Sequence, residues 1–497
     1  MQRTTTAPRT LEAYFAPFRG QVVGYDQTFD TPYGAQRLLY ADWTASGRLY
    51  HPIEQRLHHQ FGPFVGNTHT ETTVTGTAMT YAYHHAKDLI KRHVHAGPAD
   101  VLIMAGSGMT GAVSKFQRIL GLKAPEQIQA QVRLPDSERP VVFVTHMEHH
   151  SNHTSWLETL ADVECILPDS QGLIDYDYLL QLLERYSDRR LRIASVTACS
   201  NVSGIQTDYH KIARIMHAHG GLCFVDFACS APYVPIDMHP ADPLARLDAI
   251  YFSPHKFLGG PGSPGVLLFD SALYHNRVPD QPGGGTVAWT NPWGEHQYIS
   301  DIESREDGGT PAFLQTIRAA LAIGLKEEMG VQPMLEREHE LLQRLFAGLR
   351  HIPGLHILAG EIEDRLGVIS FYIDGLHFNL GVKLLNDRFG IQMRGGCSCA
   401  GTYGHLLLNI PRDVSRQITS EIDAGCLASK PGWIRLSIHP VMTDAEIDYL
   451  LEAIDAVARH HRTWGQDYRY DDRSNEFQHR AAAQTVQELV YSWFSGL

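Results

Sequence analysis

Short apolar runs that alternate with helical patterns constrain the fold of this chain more than any other feature of its sequence. These runs, rich in β-branched and aromatic residues, occupy positions 101–105, 141–145, 193–197, 222–225, 249–252 and 266–269. They are apolar on both faces, which is typical of buried strands in a sheet covered by helices. The sequence therefore predicts an α/β domain with a mostly parallel central sheet.

The pattern changes after about residue 325 and predicts a second, smaller domain. A charged helical stretch at 325–349 leads to strand-like segments at 367–373 and 433–438. The capping signal at Thr443–Glu446 predicts a further helix. The predicted divisions are an N-terminal arm at 1–20, a large domain at 21–325, a small α+β domain at 326–465 to which the N-terminal segment contributes, and a C-terminal tail at 466–497.

The composition is that of a soluble globular protein, with 43% hydrophobic and 20% charged residues among 497. A formal net charge of −13 does not favour nucleic-acid binding. No apolar run reaches the roughly 18 residues of a membrane span, and the first residues lack the apolar segment of a signal peptide. Seven cysteines do not make a disulfide framework, so the cytoplasm is the expected location. The histidines lack metal-ligand spacing, and no metal site is predicted.

A lysine stands at the end of one predicted strand. Lys256 follows the run 249–252, is flanked by Ser253 and His255, and precedes a glycine-rich loop. Lysine forms Schiff bases, and pyridoxal phosphate enzymes hold their cofactor through one. Taken alone, the segment also describes a solvated surface lysine.

Other polar residues follow the remaining strands, at the edge where open parallel sheets bind ligands. Ser107 and Gly108 lie in a strand-to-helix turn that can bind phosphate or simply close the chain. His149 suits stacking on an aromatic ring, or belongs to a polar loop with incidental histidines, and Asn201 offers a short amide. Asp226 ends an apolar strand, where a carboxylate is costly unless it is paired. A protonated pyridine nitrogen would pair with it, and a helix N-cap is the alternative.

The order of these residues along the chain resembles that of the class V aminotransferase and cysteine desulfurase family of fold-type I pyridoxal phosphate enzymes. The resemblance runs from about Tyr40 to about Ile454 and includes a Glu-His-His segment at 148–150. It implies pyridoxal 5′-phosphate as the cofactor, Lys256 as its Schiff-base lysine and Asp226 as the partner of the ring nitrogen. The further cofactor contacts that it implies are Ser107, Gly108, His149, Asn201, Ser253 and His255.

Two loops resemble parts of the family that reach across a dimer. Residues 305–311 resemble its Gly-Thr-Pro loop, and residues 66–69 resemble its Asn-x-His loop, which here ends at His69. The resemblance implies a homodimer in which Thr310 contacts the phosphate of the opposite protomer. Ordinary turn chemistry is the alternative for both segments.

A loop rich in glycine and cysteine, 394–404, is the second distinctive feature. Its Cys397-Ser398-Cys399 segment suits a metal half-site, a redox pair or a nucleophile, and the lack of a second pair at zinc spacing disfavours the first. The loop resembles that of desulfurases, which makes Cys399 the sulfur acceptor, and more closely that of molybdenum cofactor sulfurases. Arg394 would favour the reactive thiolate.

Two further positions bear on the substrate and on the cofactor. Arg435 falls where the family places its substrate-carboxylate arginine, and two parallel hydrogen bonds to a carboxylate explain the choice of arginine. A surface charge at a strand end is the alternative. Cys229 departs from the family, because desulfurases usually carry glutamine at this position. A thiol is a poorer hydrogen-bond donor than the glutamine amide.

The leading hypothesis is a homodimeric, pyridoxal phosphate-dependent enzyme of the cysteine desulfurase type. It would move sulfur from L-cysteine to Cys399 and release alanine. Lys256 and His149 would move protons, and Arg435 and Asn201 would bind the substrate. A separate protein would accept the sulfur. One alternative is an aminotransferase, or a C–S or C–N lyase, of the same fold without a persulfide. The other is a noncatalytic sulfur-transfer scaffold. The roles of Cys397 and Cys399 are left open.

Overall fold

The structure is a computed structural model that describes residues 10–68, 70–481 and 486–495. Its strands, numbered in chain order, are β1 Thr28–Thr31, β2 Gly34–Arg37, β3 Leu39–Tyr40, β4 Asp100–Ala105, β5 Val141–Thr145, β6 Asp162–Ile166, β7 Arg192–Thr197, β8 Leu222–Asp226, β9 Ala249–Phe252, β10 Gly265–Asp270, β11 Val287–Thr290, β12 His296–Tyr298, β13 Leu355–Ile357, β14 Val368–Ile373, β15 Ile391–Gln392, β16 Arg394–Gly396, β17 Trp433–Ser437, β18 Tyr468–Asp471 and β19 Glu476–His479. Its α-helices are α1 Leu11–Arg19, α2 His51–Arg56, α3 Val74–His93, α4 Met109–Ile119, α5 Glu126–Gln129, α6 His150–Leu157, α7 Tyr176–Arg185, α8 Tyr209–Ala218, α9 Ile302–Glu306, α10 Phe313–Met329, α11 Val331–Leu349, α12 Phe378–Phe389, α13 Gly401–Leu407, α14 Arg412–Asp423, α15 Asp444–Trp464 and α16 Val486–Ser492. Within these described ranges, no helix has the length and apolar character needed to cross a membrane.

The chain divides into two compact units. The larger unit holds Gln21–Val23 and Thr44–Glu336. The smaller unit holds Gly24–Trp43 together with Arg337–Leu497 and the described part of Met1–Gly20. The early segment groups with the smaller unit because β3 pairs in parallel with β15 there. The domain bounds drawn from the sequence stay predictions.

A seven-stranded sheet forms the centre of the larger unit, with the strand order β4-β10-β9-β8-β7-β5-β6. The strands from β9 to β6 in this order are parallel, while β10 is antiparallel to both β4 and β9. The predicted α/β fold with a mostly parallel sheet is confirmed. β10 reverses direction because its connection to β9 contains no α-helix, and parallel crossovers usually need one. As a result, β4, β5, β7, β8 and β9 all end at the same edge.

Strand β6 was not predicted from the sequence. It lies at the edge of the sheet, and four of its five residues are only half-buried. An edge strand of this kind lacks the continuous apolar run that marks the central strands.

Aromatic side chains fill the space between the sheet and its helices. Phe116 of α4 packs with its ring centroid 5.1 Å from Phe224 and 5.0 Å from Phe269. Trp156 of α6 stacks on the same Phe224, and all four side chains are fully buried. Phe224 therefore joins two helices to the centre of the sheet.

The smaller unit is built on an antiparallel sheet in the order β13-β14-β17-β16, with α12 packed on it. The capping box between Thr443 and Glu446 begins α15, as predicted. The hairpin of β18 and β19 was not predicted; it packs on α12, where the Asn379 side-chain amide donates to the Asn475 carbonyl oxygen over 2.6 Å. The helical stretch expected at 325–349 is interrupted at Gly330, whose φ of 79° ends α10.

We predict that Phe224→Ala lowers the free energy of unfolding by about 3–5 kcal/mol, because it removes a buried ring and leaves a cavity between two helices. Chemical denaturation measures the loss. Leu244→Ala is the control, since Leu244 is 43% exposed and its truncation should cost about 0.5 kcal/mol or less. Equal losses in the two variants would contradict the central position of Phe224.

Candidate active site

The turn after β4 and the turn after β9 meet at the carboxyl edge of the larger unit's sheet. The Met109 N–H donates to Ser253 Oγ over 2.9 Å, and His255 Nδ1 lies 3.0 Å from the Ser107 carbonyl oxygen. A Cβ added at Gly108 would stand 2.8 Å from His255 Cε1, so glycine leaves a space that other residues would fill. The structure thus brings together four of the predicted cofactor contacts, Ser107, Gly108, Ser253 and His255, at the N-terminus of α4. Such a cradle fits a phosphate group.

Lys256 and Asp226 stand at the ends of the neighbouring strands β9 and β8. Asp226 is 3% exposed, and its Oδ1 accepts from the Ala228 N–H over 2.8 Å. Burial raises the pKa of Asp226 to about 6, opposed by that N–H and by the charge of Lys256. Burial, and then the charge of Lys256, lower the pKa of His255, which favours its neutral form. A buried carboxylate in this position fits the protonated ring nitrogen of pyridoxal phosphate.

His149 and Asn201 follow β5 and β7 at the same edge. His149 caps α6, since its Nδ1 accepts from the Ser151 N–H over 3.1 Å. In the neutral ring the hydrogen is therefore on Nε2. Asn201 is buried in the turn after β7. Beside it, the Cys229 thiol donates to the Ser200 carbonyl oxygen with Sγ and O 3.7 Å apart, so this residue faces backbone at the position where glutamine is usual.

Glu148 is a site residue that the sequence interpretation missed. Its carboxylate accepts from the Thr145 N–H and hydroxyl, from the Asn152 amide and from the Thr197 N–H, over 2.7–3.2 Å. It therefore ties the end of β5 to the end of β7, beside His149. Burial raises the pKa of Glu148 to about 8, and these donors oppose the rise. The available signal was its position three residues past the end of the apolar strand β5, within the Glu-His-His segment at 148–150.

Lys326 is a second missed residue, and it supports the turn that follows Asp226. Its ammonium donates to the carbonyl oxygens of Ala231 and Val234 over 2.7 and 2.5 Å and lies 5.7 Å from the centre of the Phe257 ring. Burial lowers the pKa of Lys326 to about 7. The sequence offered no signal, because the bonded carbonyls are far away along the chain.

In the smaller unit, Arg435 is buried and bound by an aspartate. Arg435 and Arg394 are directly opposite each other on β17 and β16. Asp42 lies between them: its Oδ1 accepts from Arg435 Nη2 over 2.6 Å, and its Oδ2 accepts from Arg394 Nε over 3.1 Å. Two like charges opposite each other on a sheet repel, and Asp42 offsets this. The smaller unit therefore presents a cluster with one net positive charge.

The predicted cysteine loop of the smaller unit follows β16. Cys399 is exposed and Cys397 is half-buried. Ser398 and Cys399 both have positive φ, 52° and 56°. The loop then enters α13 at Gly401.

The two predicted dimer loops lie together in the larger unit. Thr310 and Asn67 are both exposed, and Thr310 Oγ1 donates to Asn67 Oδ1 over 3.5 Å. His69, from the same predicted loop, lies outside the described residues.

The family profile described as aminotransferase class-V matches residues 39–450. This chain belongs to the class V aminotransferase family. A probable cysteine desulfurase of Halalkalibacterium halodurans is 26% identical over 363 residues, which is 73% of this chain and 84% of the relative. One of Staphylococcus epidermidis is 28% identical over 365 residues, with the same two shares. A solved cysteine desulfurase of Thermococcus onnurineus aligns with a TM-score of 0.71 at 20% identity, over 89% of this chain and 98% of that one. This likeness shows the shared fold.

For a class V aminotransferase, the arrangement divides the predicted site residues between the two units. The larger unit gathers the residues suited to the cofactor, and the smaller unit holds the arginine pair and the cysteines. The individual roles of these residues stay predictions.

We predict that Asp226→Asn stabilises the cofactor-free protein at alkaline pH. The folded pKa of about 6 lies above the ordinary 3.8, so Asp226 favours folding below that ordinary value and loses this contribution as the pH rises through 6. A difference of about two pKa units sets an upper bound of about 3 kcal/mol. The free energies of unfolding of the wild type and of Asp226→Asn, measured across this pH range, should converge as the pH falls toward 3.8. A pH-independent difference would contradict the assignment.

We also predict that Asp42→Asn lowers the free energy of unfolding by about 3–5 kcal/mol, since it removes the carboxylate from a buried arginine. The side chains of Asp42 and Arg435 are 12% and 4% exposed, whereas that of Arg394 is 50% exposed. Arg394→Gln is therefore the matched control and should cost about 1 kcal/mol or less. Equal costs measured by denaturation would mean that Asp42 does not act mainly on Arg435.

Proposed function

We propose that this protein is a pyridoxal 5′-phosphate-dependent cysteine desulfurase, which moves sulfur from L-cysteine to Cys399 and releases alanine. The observation that carries the proposal is the placement of Lys256 beside a buried Asp226 at an edge that also holds a phosphate cradle. The family and the names of the two relatives support it. The seven free cysteines suit a reducing compartment, the cytoplasm.

Each group at the carboxyl edge has a proposed task. Ser107, Gly108, Ser253 and His255 would hold the phosphate, and Asp226 would hold the proton of the ring nitrogen. Lys256 would hold the cofactor and then carry protons, and His149 would cover the ring. Bound pyridoxal phosphate supplies an electron sink for negative charge that develops beside a substrate amino group.

The groups of the smaller unit would act on the substrate. Arg435 would bind its carboxylate. The Cys399 thiolate would attack the substrate sulfur, so that a sulfur–sulfur bond forms as the carbon–sulfur bond breaks. A proton delivered to the carbon completes alanine, and Cys399 keeps the sulfur as a persulfide. An acceptor protein would then receive it.

We further propose that the protein acts as a homodimer, in which Thr310 reaches the phosphate of the second copy. Thr310 and Asn67 are exposed and bonded to each other, so both are available to a second copy. Large apolar side chains on neighbouring segments are exposed as well, namely Phe64, Val65, Val74 and Tyr81.

The test is to incubate the cofactor-loaded protein with a panel of amino acids and to measure alanine, sulfide and keto acids. L-Cysteine should yield alanine, and Cys399→Ser should lower that yield at least about 100-fold, because the nucleophile is lost. Cys426→Ser is the matched control, since Cys426 is a half-buried cysteine outside the loop. Keto acids as products would favour an aminotransferase instead, and alanine formation unchanged in Cys399→Ser would contradict the persulfide.

A further inference from the structure

The loop that carries Cys399 contains a second cysteine in the same tight turn. The Ala400 N–H donates to the Cys397 carbonyl oxygen over 3.0 Å, which closes a four-residue turn. The two central residues, Ser398 and Cys399, have φ of 52° and 56°. Positive φ at both central positions defines a type I′ turn.

This turn is unusual because its central residues are neither glycine nor asparagine. Left-handed backbone is disfavoured for serine and cysteine, and such strain collects at functional sites. The preceding Gly395 allows a close approach, since an added Cβ would stand 2.4 Å from Asn379 Oδ1. The surrounding chain thus holds both cysteines in one compact loop.

The backbone spacing of the two cysteines permits a disulfide between them. Residues two apart in a chain are separated by at most about 7 Å between Cα atoms, and a turn shortens this separation. A disulfide needs a Cα separation of roughly 4.4–6.8 Å. Cys399 is exposed and Cys397 is half-buried, so reagents can reach the pair.

Two cysteines outside the loop are the half-buried Cys165 and the buried Cys223. Burial raises the pKa of Cys165 to about 12 and that of Cys223 well above its ordinary value, which keeps both thiols protonated and unreactive. Within the described part of the chain, no group of three or more histidine, cysteine, aspartate or glutamate residues is placed to hold a metal ion.

We propose that Cys397 is the resolving thiol of the Cys399 sulfur site. This inference rests on the proposed function, which places a persulfide on Cys399. The Cys397 thiolate attacks Sγ of Cys399, the Cys397–Cys399 disulfide forms, and the bond to the outer sulfur breaks. The outer sulfur leaves with the bonding electron pair as hydrosulfide, so the two cysteines are oxidised and the transferred sulfur is reduced. A thiol or dithiol reductant then restores both thiols.

The test is a single turnover of the cofactor-loaded protein with one equivalent of L-cysteine per protomer and no other thiol. Alanine and free sulfide are measured, and the mass of the peptide that contains the loop is determined by mass spectrometry. The wild-type protein should release sulfide and leave that peptide two hydrogens lighter. Cys397→Ser should keep the sulfur on Cys399 and release about tenfold less sulfide, since no neighbouring thiol can displace it. Cys426→Ser should match the wild type.

A second measurement separates this inference from the proposed function. The protein is treated with oxidised glutathione in the absence of substrate, and the loop disulfide should form in the wild type and Cys426→Ser. If alanine forms but the wild type keeps its sulfur on Cys399 and releases no more sulfide than Cys397→Ser, the resolving role is wrong and the proposed function stands. If no alanine forms, the proposed function is wrong. Failure to form the loop disulfide under oxidation would overturn the pairing of the two thiols by itself.

Discussion

The burial of the Asp226 carboxylate is the constraint on which the carboxyl edge of the larger unit depends. A carboxylate that is 3% exposed at the end of an apolar strand is costly without a cation. The neighbouring strand brings Lys256 close enough to affect the pKa of Asp226. Glu148 holds the ends of β5 and β7 together, and Lys326 holds the turn after β8. The Ala228 N–H and the charge of Lys256 offset part of the cost of placing the Asp226 carboxylate there.

In the smaller unit the buried charge is positive rather than negative. There a buried arginine needs an anion, and Asp42 supplies it while also binding Arg394. The pairing of β3 with β15 places Asp42 beside the arginines, because it joins the early segment to this unit. A segment far away along the chain thus decides the charge around the predicted carboxylate-binding residue.

The strand-end residues could be predicted because the central strands are continuous apolar runs, so that Asp226 and Lys256 stood out after them. Asp42 and Lys326 could not, since their partners are remote: Asp42 and Arg435 are 393 positions apart. β6 and the hairpin of β18 and β19 were missed because the half-buried β6 and the polar hairpin lack such runs. The turn at Ser398 and Cys399 opposes local preference and shows only in the backbone.

Lys256 is proposed as the residue that binds the cofactor. The most direct measurement is to load the protein with pyridoxal phosphate, reduce the bond between cofactor and lysine with borohydride, and map the labelled peptide. The label should lie on Lys256, and Lys256→Ala should carry none. A label on another lysine, such as the buried Lys326, or no covalent label on the wild-type protein, would contradict this assignment.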